Sequence, residues 1–185
     1  MDIKKLFVKR KPVDYILYSG IIGIGILLDQ LTKWLAVTFL LPLGESVPII
    51  RGVLQLTYVE NEGAAFGSLK DAPWVFNSVS VVAIIAILGY LFLGRGTSKL
   101  QEIALAMIVS GGIGNMIDRT LLQYVIDFID FCLIDFAVFN GADSFVCVGA
   151  GLLILSLVLE IIAESKAEKA KRAAITNNSK SEDAE

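Results

Sequence analysis

Residues 15–41 read YILYSGIIGIGILLDQLTKWLAVTFLL, an apolar run interrupted at positions 29–33 by the polar sequence DQLTK. As a helix, residues 15–28 would span about 21 Å, which is short of the ~30 Å hydrocarbon core of a bilayer. A helix that crosses the membrane must therefore continue through the polar sequence. The stretch predicts a transmembrane helix with charged groups in its second half.

Three further apolar segments lie at about 74–93, 100–118 and 144–162. Each is close to the ~20 residues that a membrane-spanning helix needs. Together with a first helix at about 15–40, they predict an integral membrane, all-α protein, a four-helix transmembrane bundle in a single domain over residues 1–165. Hydrophobic residues make up 55% of the 185 residues, which is too many for a soluble domain with a polar surface.

The distribution of basic residues predicts the orientation. They gather before the first helix, between the second and third, and after the fourth: Lys4, Lys5, Lys9, Arg10 and Lys11; Arg95 and Lys99; Lys166, Lys169, Lys171 and Arg172. The positive-inside rule places these regions and both termini in the cytoplasm. The charged tail, 166–185, predicts a helix extension followed by disorder. The connections 42–73 and 118–143 then face outward, and residues 47–60, rich in strand formers, predict a small outer β-cradle.

The chain contains no histidine. This excludes Ser–His and Cys–His nucleophile pairs and histidine metal sites. The two cysteines have no metal-ligand spacing, and the basic residues lack the aromatic interleaving of a nucleic-acid surface, so neither a metal site nor a nucleic-acid partner is expected. A few hydrolytic chemistries remain, among them a carboxylate pair that activates water and a Ser–Lys dyad on Lys33, although no serine lies near Lys33 in the sequence.

Most of the unusual polar residues fall at the outer ends of the predicted helices. Asp127 and Asp143 lie beside apolar residues where the outer connections meet the bilayer, and acids in such places usually mark a functional site. Asp29 and Lys33 are four residues apart, acid first, which is the favourable helical ion pair. We expect them to form a structural clamp that is partly exposed to water.

Other polar and small residues favour structural interpretations. Asp118 and Arg119 could form a charge pair at a helix end, and Asp130 and Asp135 are expected to be solvated loop acids. The glycines of the third segment, Gly111, Gly112 and Gly114, are expected to let helices approach closely.

Two non-enzymatic classes remain open at this point. A transporter or channel would need acids that continue across the bilayer, but the second and fourth segments carry none before Glu160. A structural or assembly protein should tolerate the loss of either Asp127 or Asp143.

Five motifs, in this order, resemble those of the lipoprotein signal peptidase (signal peptidase II) family. They are Asp29-Gln30-Leu31-Thr32-Lys33, Asn61-Glu62-Gly63-Ala64-Ala65-Phe66-Gly67, Gly111-Gly112-Ile113-Gly114-Asn115-Met116-Ile117-Asp118-Arg119, Val125-Ile126-Asp127-Phe128 and Phe139-Asn140-Gly141-Ala142-Asp143-Ser144. The resemblance covers about residues 14–163. It departs from the family at Gln123, where a glycine is usual, and at Ala137, where proline is frequent.

The resemblance implies a bacterial inner-membrane aspartic endopeptidase without a cofactor, with its active site at the outer face. The substrate would be a prolipoprotein whose cysteine carries diacylglycerol, cut just before that cysteine. Membrane lipids and cyclic peptide inhibitors of the globomycin type would be further partners. By motif, the catalytic pair would be Asp127 and Asp143, and the residues that bind substrate or orient the pair would be Asn61, Asn115, Asp118, Arg119 and Asn140.

Overall fold

The computed structural model describes residues 10–63, 73–93, 98–134 and 136–182, with side chains except at 73–76 and 170–182. Its helices are α1 (Pro12–Leu35), α2 (Pro73–Leu93), α3 (Lys99–Leu121) and α4 (Gly141–Glu182), and its strands are β1 (Val47–Ile50), β2 (Leu54–Asn61) and β3 (Val125–Asp130). Several residues discussed above lie outside the described part: Lys4, Lys5, Lys9, Ala64, Ala65, Phe66, Gly67, Arg95 and Asp135.

The helices have the character of membrane spans. Three stretches, Pro12–Leu43, Lys99–Leu121 and Gly141–Lys169, are long and apolar enough to cross a bilayer, whereas the apolar stretch Asn77–Leu93 is shorter. Large apolar side chains face outward on α4, where Ile161 is 66% exposed, and a contiguous surface of this kind suits lipid rather than water. The structure therefore agrees with the prediction of a helical membrane protein, while the crossing of α2 stays a prediction.

Two helices differ in extent from the prediction. A π-helical turn, Ala36–Leu40, follows α1 and completes the predicted first segment. Helix α4 begins at Gly141, three residues before the predicted start, so that Asp143 lies in its first turn. It also continues to Glu182 where the sequence predicted disorder, because the stretch after Lys166 is rich in alanine, lysine and glutamate, which favour helix.

The β-cradle is an antiparallel sheet of three strands in the order β1-β2-β3. Strands β1 and β2 match the predicted β-element, but β3 was not predicted as a strand because its six residues are too few for periodicity to decide. Two residues of β3, Ile126 and Phe128, pack against Ala36 and Leu40 after α1. The sheet is thereby fixed to the end of the bundle.

Helices α3 and α4 approach closely through glycine. A Cβ on Gly111 would lie 2.2 Å from the carbonyl oxygen of Ala142, and one on Gly114 would lie 2.5 Å from Oδ2 of Asp29. Real Cβ atoms do not tolerate such distances, which confirms the prediction that these two glycines allow close packing. The third, Gly112, faces Ile84 of α2 instead.

Candidate active site

One end of the bundle gathers polar side chains from five elements. They come from the last turns of α1 and α3, the end of β2, the middle of β3 and the first turn of α4: Asp29, Gln30, Lys33, Asn61, Asn115, Asp118, Arg119, Asp127, Asn140 and Asp143. Apart from Gln30, these are the nine residues that the sequence predicted for the catalytic pair, the residues around it and the Asp29–Lys33 clamp, and all nine lie at this end.

Asn140 connects the two candidate catalytic acids. It is fully buried, and its amide Nδ2 donates to Oδ1 of Asp127 over 2.7 Å. Its Oδ1 accepts from the backbone N–H of Asp143 at 3.0 Å, and its own backbone N–H donates to Oδ2 of Asp143 at 3.1 Å. This reciprocal pair of bonds is a capping box that begins α4. One asparagine thus fixes both carboxylates relative to each other.

Asp127 lies in β3 with only 2% of its surface exposed. Nδ2 of Asn61, at the end of β2, donates to its second oxygen at 2.8 Å. Burial raises the pKa of Asp127 to about 6, and the negative charge of Asp143 adds to the rise, while the hydrogen bonds from Asn61 and Asn140 and the charge of Lys33 oppose it. Asp127 therefore keeps its proton to a higher pH than an ordinary aspartate does.

Asp143 has a different environment. It is the third residue of α4, where the helix dipole favours a negative charge. Its carboxylate is half-buried and accepts from Nδ2 of Asn115 at 2.8 Å as well as from the Asn140 backbone. Asp143 is therefore more accessible than Asp127 and lies at a helix N-terminus.

Beneath the two acids lies a buried ionic group, which we call the Lys33 cluster: Asp29, Gln30, Lys33, Asn115 and Asp118. Nζ of Lys33 lies 2.8 Å from Asp29 and 2.9 Å from Asp118 and donates to Asn115 at 3.0 Å. Asp29 and Lys33 are the expected ion pair, but they are only 1% and 2% exposed. The expectation of a partly wet pair was wrong, because α3 and the start of α4 cover it.

Asp118 was expected to bind substrate or orient the pair, and its oxygens accept from Gln30 Nε2 at 3.0 Å and from the Ile126 backbone at 3.1 Å. One further residue is placed differently from the expectation. Asp130 was expected to be a solvated loop acid, but it ends β3 and accepts from Gln55 at 2.6 Å. Arg119 is half-buried, and its charge interacts with those of both candidate catalytic acids and of Asp118.

Sequence reasoning assigned no role to Gln30. Its Nε2 reaches Asp118, Asp29 (3.2 Å) and the carbonyl of Gly114 (3.3 Å). The available signal was a long amide side chain in an apolar helix, next to a charged residue. Within the described residues, no group of three or more His, Cys, Asp or Glu side chains could hold a metal. The arrangement offers two carboxylates in unequal environments, as acid–base hydrolysis requires.

The comparisons with known proteins agree with one another. A family model described as signal peptidase (SPase) II matches residues 21–159. The chain is 45% identical over 130 residues to the lipoprotein signal peptidase of Streptococcus pyogenes serotype M6, covering 70% of this chain and 85% of that protein. It is 47% identical over 133 residues to that of Caldanaerobacter subterraneus subsp. tengcongensis, covering 72% and 90%.

Two solved structures are similar as well, both described as bacterial membrane enzymes solved by the in meso method. One has a TM-score of 0.72 and 30% identity and covers 84% of this chain and 93% of that one. The other has a TM-score of 0.68 and 28% identity and covers 82% and 96%.

Proposed function

The chain belongs to the signal peptidase II family, whose members remove signal peptides from prolipoproteins, and on this premise we propose that Asp127 and Asp143 form an aspartic endopeptidase site. The substrate is a prolipoprotein bearing diacylglycerol on a cysteine, and the bond cut is the one just before that cysteine. The observation that carries the proposal is the position of Asn140, which hydrogen-bonds to both acids.

The unequal environments of the two acids assign their roles. In this proposal the carboxylate of Asp143, at the N-terminus of α4, removes a proton from water as the water oxygen attacks the scissile carbonyl. Asp127, buried and protonated, donates its proton to the carbonyl oxygen. Collapse of the tetrahedral intermediate breaks the C–N bond, and the proton taken by Asp143 passes to the leaving amine. Both acids then return to their starting states when the proton of the new hydroxyl returns to Asp127.

Three other residues support this chemistry in the proposal. Asn61 and Asn115 orient one acid each through a single amide hydrogen bond. Arg119, whose positive charge acts on both acids, is suited to bind a substrate carbonyl beside them.

The location of the site fits a lipid-bearing substrate. The acyl chains of the substrate need hydrocarbon and the hydrolysis needs water, and the end of a membrane bundle provides both. In the proposed arrangement four helices span the bacterial inner membrane, both termini are cytoplasmic and the site faces outward. Reporter fusions near Arg95 should then give a cytoplasmic signal and a fusion near Gly52 an external one. A cytoplasmic signal at Gly52 would contradict this orientation.

The decisive experiment is a cleavage assay with purified full-length protein in detergent. A peptide with diacylglycerol on its cysteine should be cut just before that cysteine, and the unlipidated peptide should remain intact. Activity should be unchanged by EDTA, since a carboxylate pair suffices, and should be lost on addition of a globomycin-type cyclic peptide. Equal cleavage of both peptides, or loss of activity with EDTA that a divalent cation restores, would overturn the proposal.

A further inference from the structure

We propose that the Lys33 cluster is a positioning frame, which holds the backbone of the residue immediately before each catalytic aspartate. The inference rests on the proposed function, since it gives a role to residues beneath the proposed pair. The sequence alone predicted only a structural clamp formed by Asp29 and Lys33. The contacts of the cluster lead to a different expectation.

The first arm of the frame reaches α4. Oδ1 of Asp29 accepts a hydrogen bond from the backbone N–H of Ala142 at 2.8 Å. Ala142 is fully buried and directly precedes Asp143. This N–H belongs to the first turn of the helix, where it has no partner within the helix. Asp29 therefore both satisfies a buried donor and fixes the start of α4.

The second arm reaches β3. Oδ2 of Asp118 accepts from the backbone N–H of Ile126 at 3.1 Å. Ile126 is 6% exposed and directly precedes Asp127. The two arms thus end at equivalent places, one residue before each acid, although they start on different helices.

Lys33 joins the arms. Its Nζ contacts both carboxylates, at 2.8 Å and 2.9 Å, and also Oδ1 of Asn115, whose Nδ2 binds Asp143. A buried ionic group of this kind gives little stability over well-packed apolar residues, because desolvation of the charges offsets their attraction. The directional hydrogen bonds of the cluster fix the positions of the segments that carry the two acids. Displacements of about 1 Å in an active site can cost about 10²-fold in rate.

Gly114 offers a way to disturb the frame without removing any polar group. A Cβ at this position would lie 2.5 Å from Oδ2 and 3.1 Å from Cγ of Asp29. Gly114→Ala therefore pushes the carboxylate that holds Ala142, while alanine itself favours the helix. Gly112→Ala is the matched control on the same helix, since its Cβ would meet only the flexible end of Ile84 at 3.1 Å.

The experiment measures kcat and KM per folded molecule on the lipidated peptide, and the pH profile of kcat/KM. Gly114→Ala should lower kcat by about 10²-fold, with KM within about threefold of wild type and a displaced pH profile. Gly112→Ala should stay within about twofold of wild type in both constants, with an unchanged profile. A folded Gly114→Ala protein with wild-type kcat and pH profile would overturn the inference.

A second pair of variants decides the matter if Gly114→Ala yields no folded protein. Asp29→Asn keeps an oxygen that can accept from Ala142, whereas Asp29→Leu does not. The kcat per folded molecule of Asp29→Asn should be at least about tenfold higher than that of Asp29→Leu. Equal values would overturn the inference. The proposed function fails separately, if wild-type protein does not cleave the peptide or if Asp127→Asn remains active.

Discussion

The bundle carries buried charged groups at both ends, and the carboxylates at the two ends have different kinds of hydrogen-bonding and ionic partners. At the end opposite the site lies a group that we call the Arg10 cluster: Arg10, Asp14, Tyr18, Lys99 and Glu102. Asp14 and Asp29 mark the two ends on α1, and they are about 22 Å apart along the helix.

In the Arg10 cluster each carboxylate has a cationic partner. Glu102 lies 2.9 Å from Nε of Arg10 and 3.3 Å from Lys99, and Lys99 lies 2.7 Å from Asp14. The hydroxyl of Tyr18 also donates to Glu102. The two acids and two bases balance one another, and their ion pairs join α1 to α3.

At the site the carboxylates of Asp127 and Asp143 accept hydrogen bonds from the amides of Asn61, Asn115 and Asn140. A neutral amide holds a carboxylate in place without committing it to the charged state as strongly as a contacting cation does. The ionic bonds lie one layer below, in the Lys33 cluster. One end of the bundle therefore uses charge to hold helices together, whereas the other keeps the groups that position the acids apart from those that transfer protons.

The largest effect is expected from the acids themselves. Asp127→Asn and Asp143→Asn should each lower kcat by about 10³-fold or more, since an amide can neither accept nor deliver the proton. Thermal unfolding should show that both variants remain folded. Asp130→Asn, on the same strand as Asp127, is the control and should keep turnover. Near-wild-type turnover in either active-site variant would remove the distinction between the two ends.

The Arg10 cluster should show the opposite behaviour, a loss of stability without a loss of chemistry. Glu102→Gln removes the carboxylate that pairs with Arg10 in the interior, and breaking a buried ion pair typically costs about 3–5 kcal/mol. The thermal midpoint should fall by several degrees, while kcat per folded molecule stays within about twofold of wild type. Glu160→Gln, an exposed glutamate on α4, serves as the control with little change in either. A large drop in kcat at intact stability would show that this end takes part in catalysis.

A smaller effect concerns pH. Because the chemistry requires protonated Asp127, whose pKa is about 6, kcat/KM should fall as pH rises through that region. The hydrogen bond from Asn61 lowers this pKa, so Asn61→Ala should move the descending limb to higher pH. A limb that stays in place or moves to lower pH would contradict the role of Asn61.

The same shift makes a prediction for stability. The folded protein binds the proton of Asp127 more tightly than the unfolded chain, so its contribution to stability is present at low pH and is lost between about pH 4 and 6. Asp127→Asn should remove this part of the pH dependence of the thermal midpoint.

The smallest effect lies in the link between α3 and β3. Gln123 has a φ of 71°, in the left-handed region that favours glycine. Gln123→Gly should therefore be more stable than Gln123→Ala by up to about 1 kcal/mol, because alanine keeps the Cβ that causes the strain. Turnover should be the same in both. Greater stability of the alanine variant would mean that the loop is not strained.

Much of the candidate site was predictable from the sequence because its residues are polar exceptions in a largely apolar chain. Asp127, Asp143 and Asn140 lie among apolar residues in short motifs, and the absence of histidine leaves few other chemistries. The partner of each side chain was not predictable. Asp118 and Ile126 are close in sequence, but nothing in their spacing indicates that a carboxylate on a helix accepts from the next strand.

The class of the protein follows from its sequence, since long apolar runs must satisfy their backbone hydrogen bonds as helices in a membrane. The partners of its acids depend on the tertiary structure. Asp29 and Lys33 are a nearby pair in the sequence, yet their burial and their bonds to Ala142 and Asn115 depend on the close approach of α3 and α4. Local sequence patterns depend on neighbours a few residues apart. The contacts of a buried polar group depend instead on the distant segments of backbone that packing places beside it.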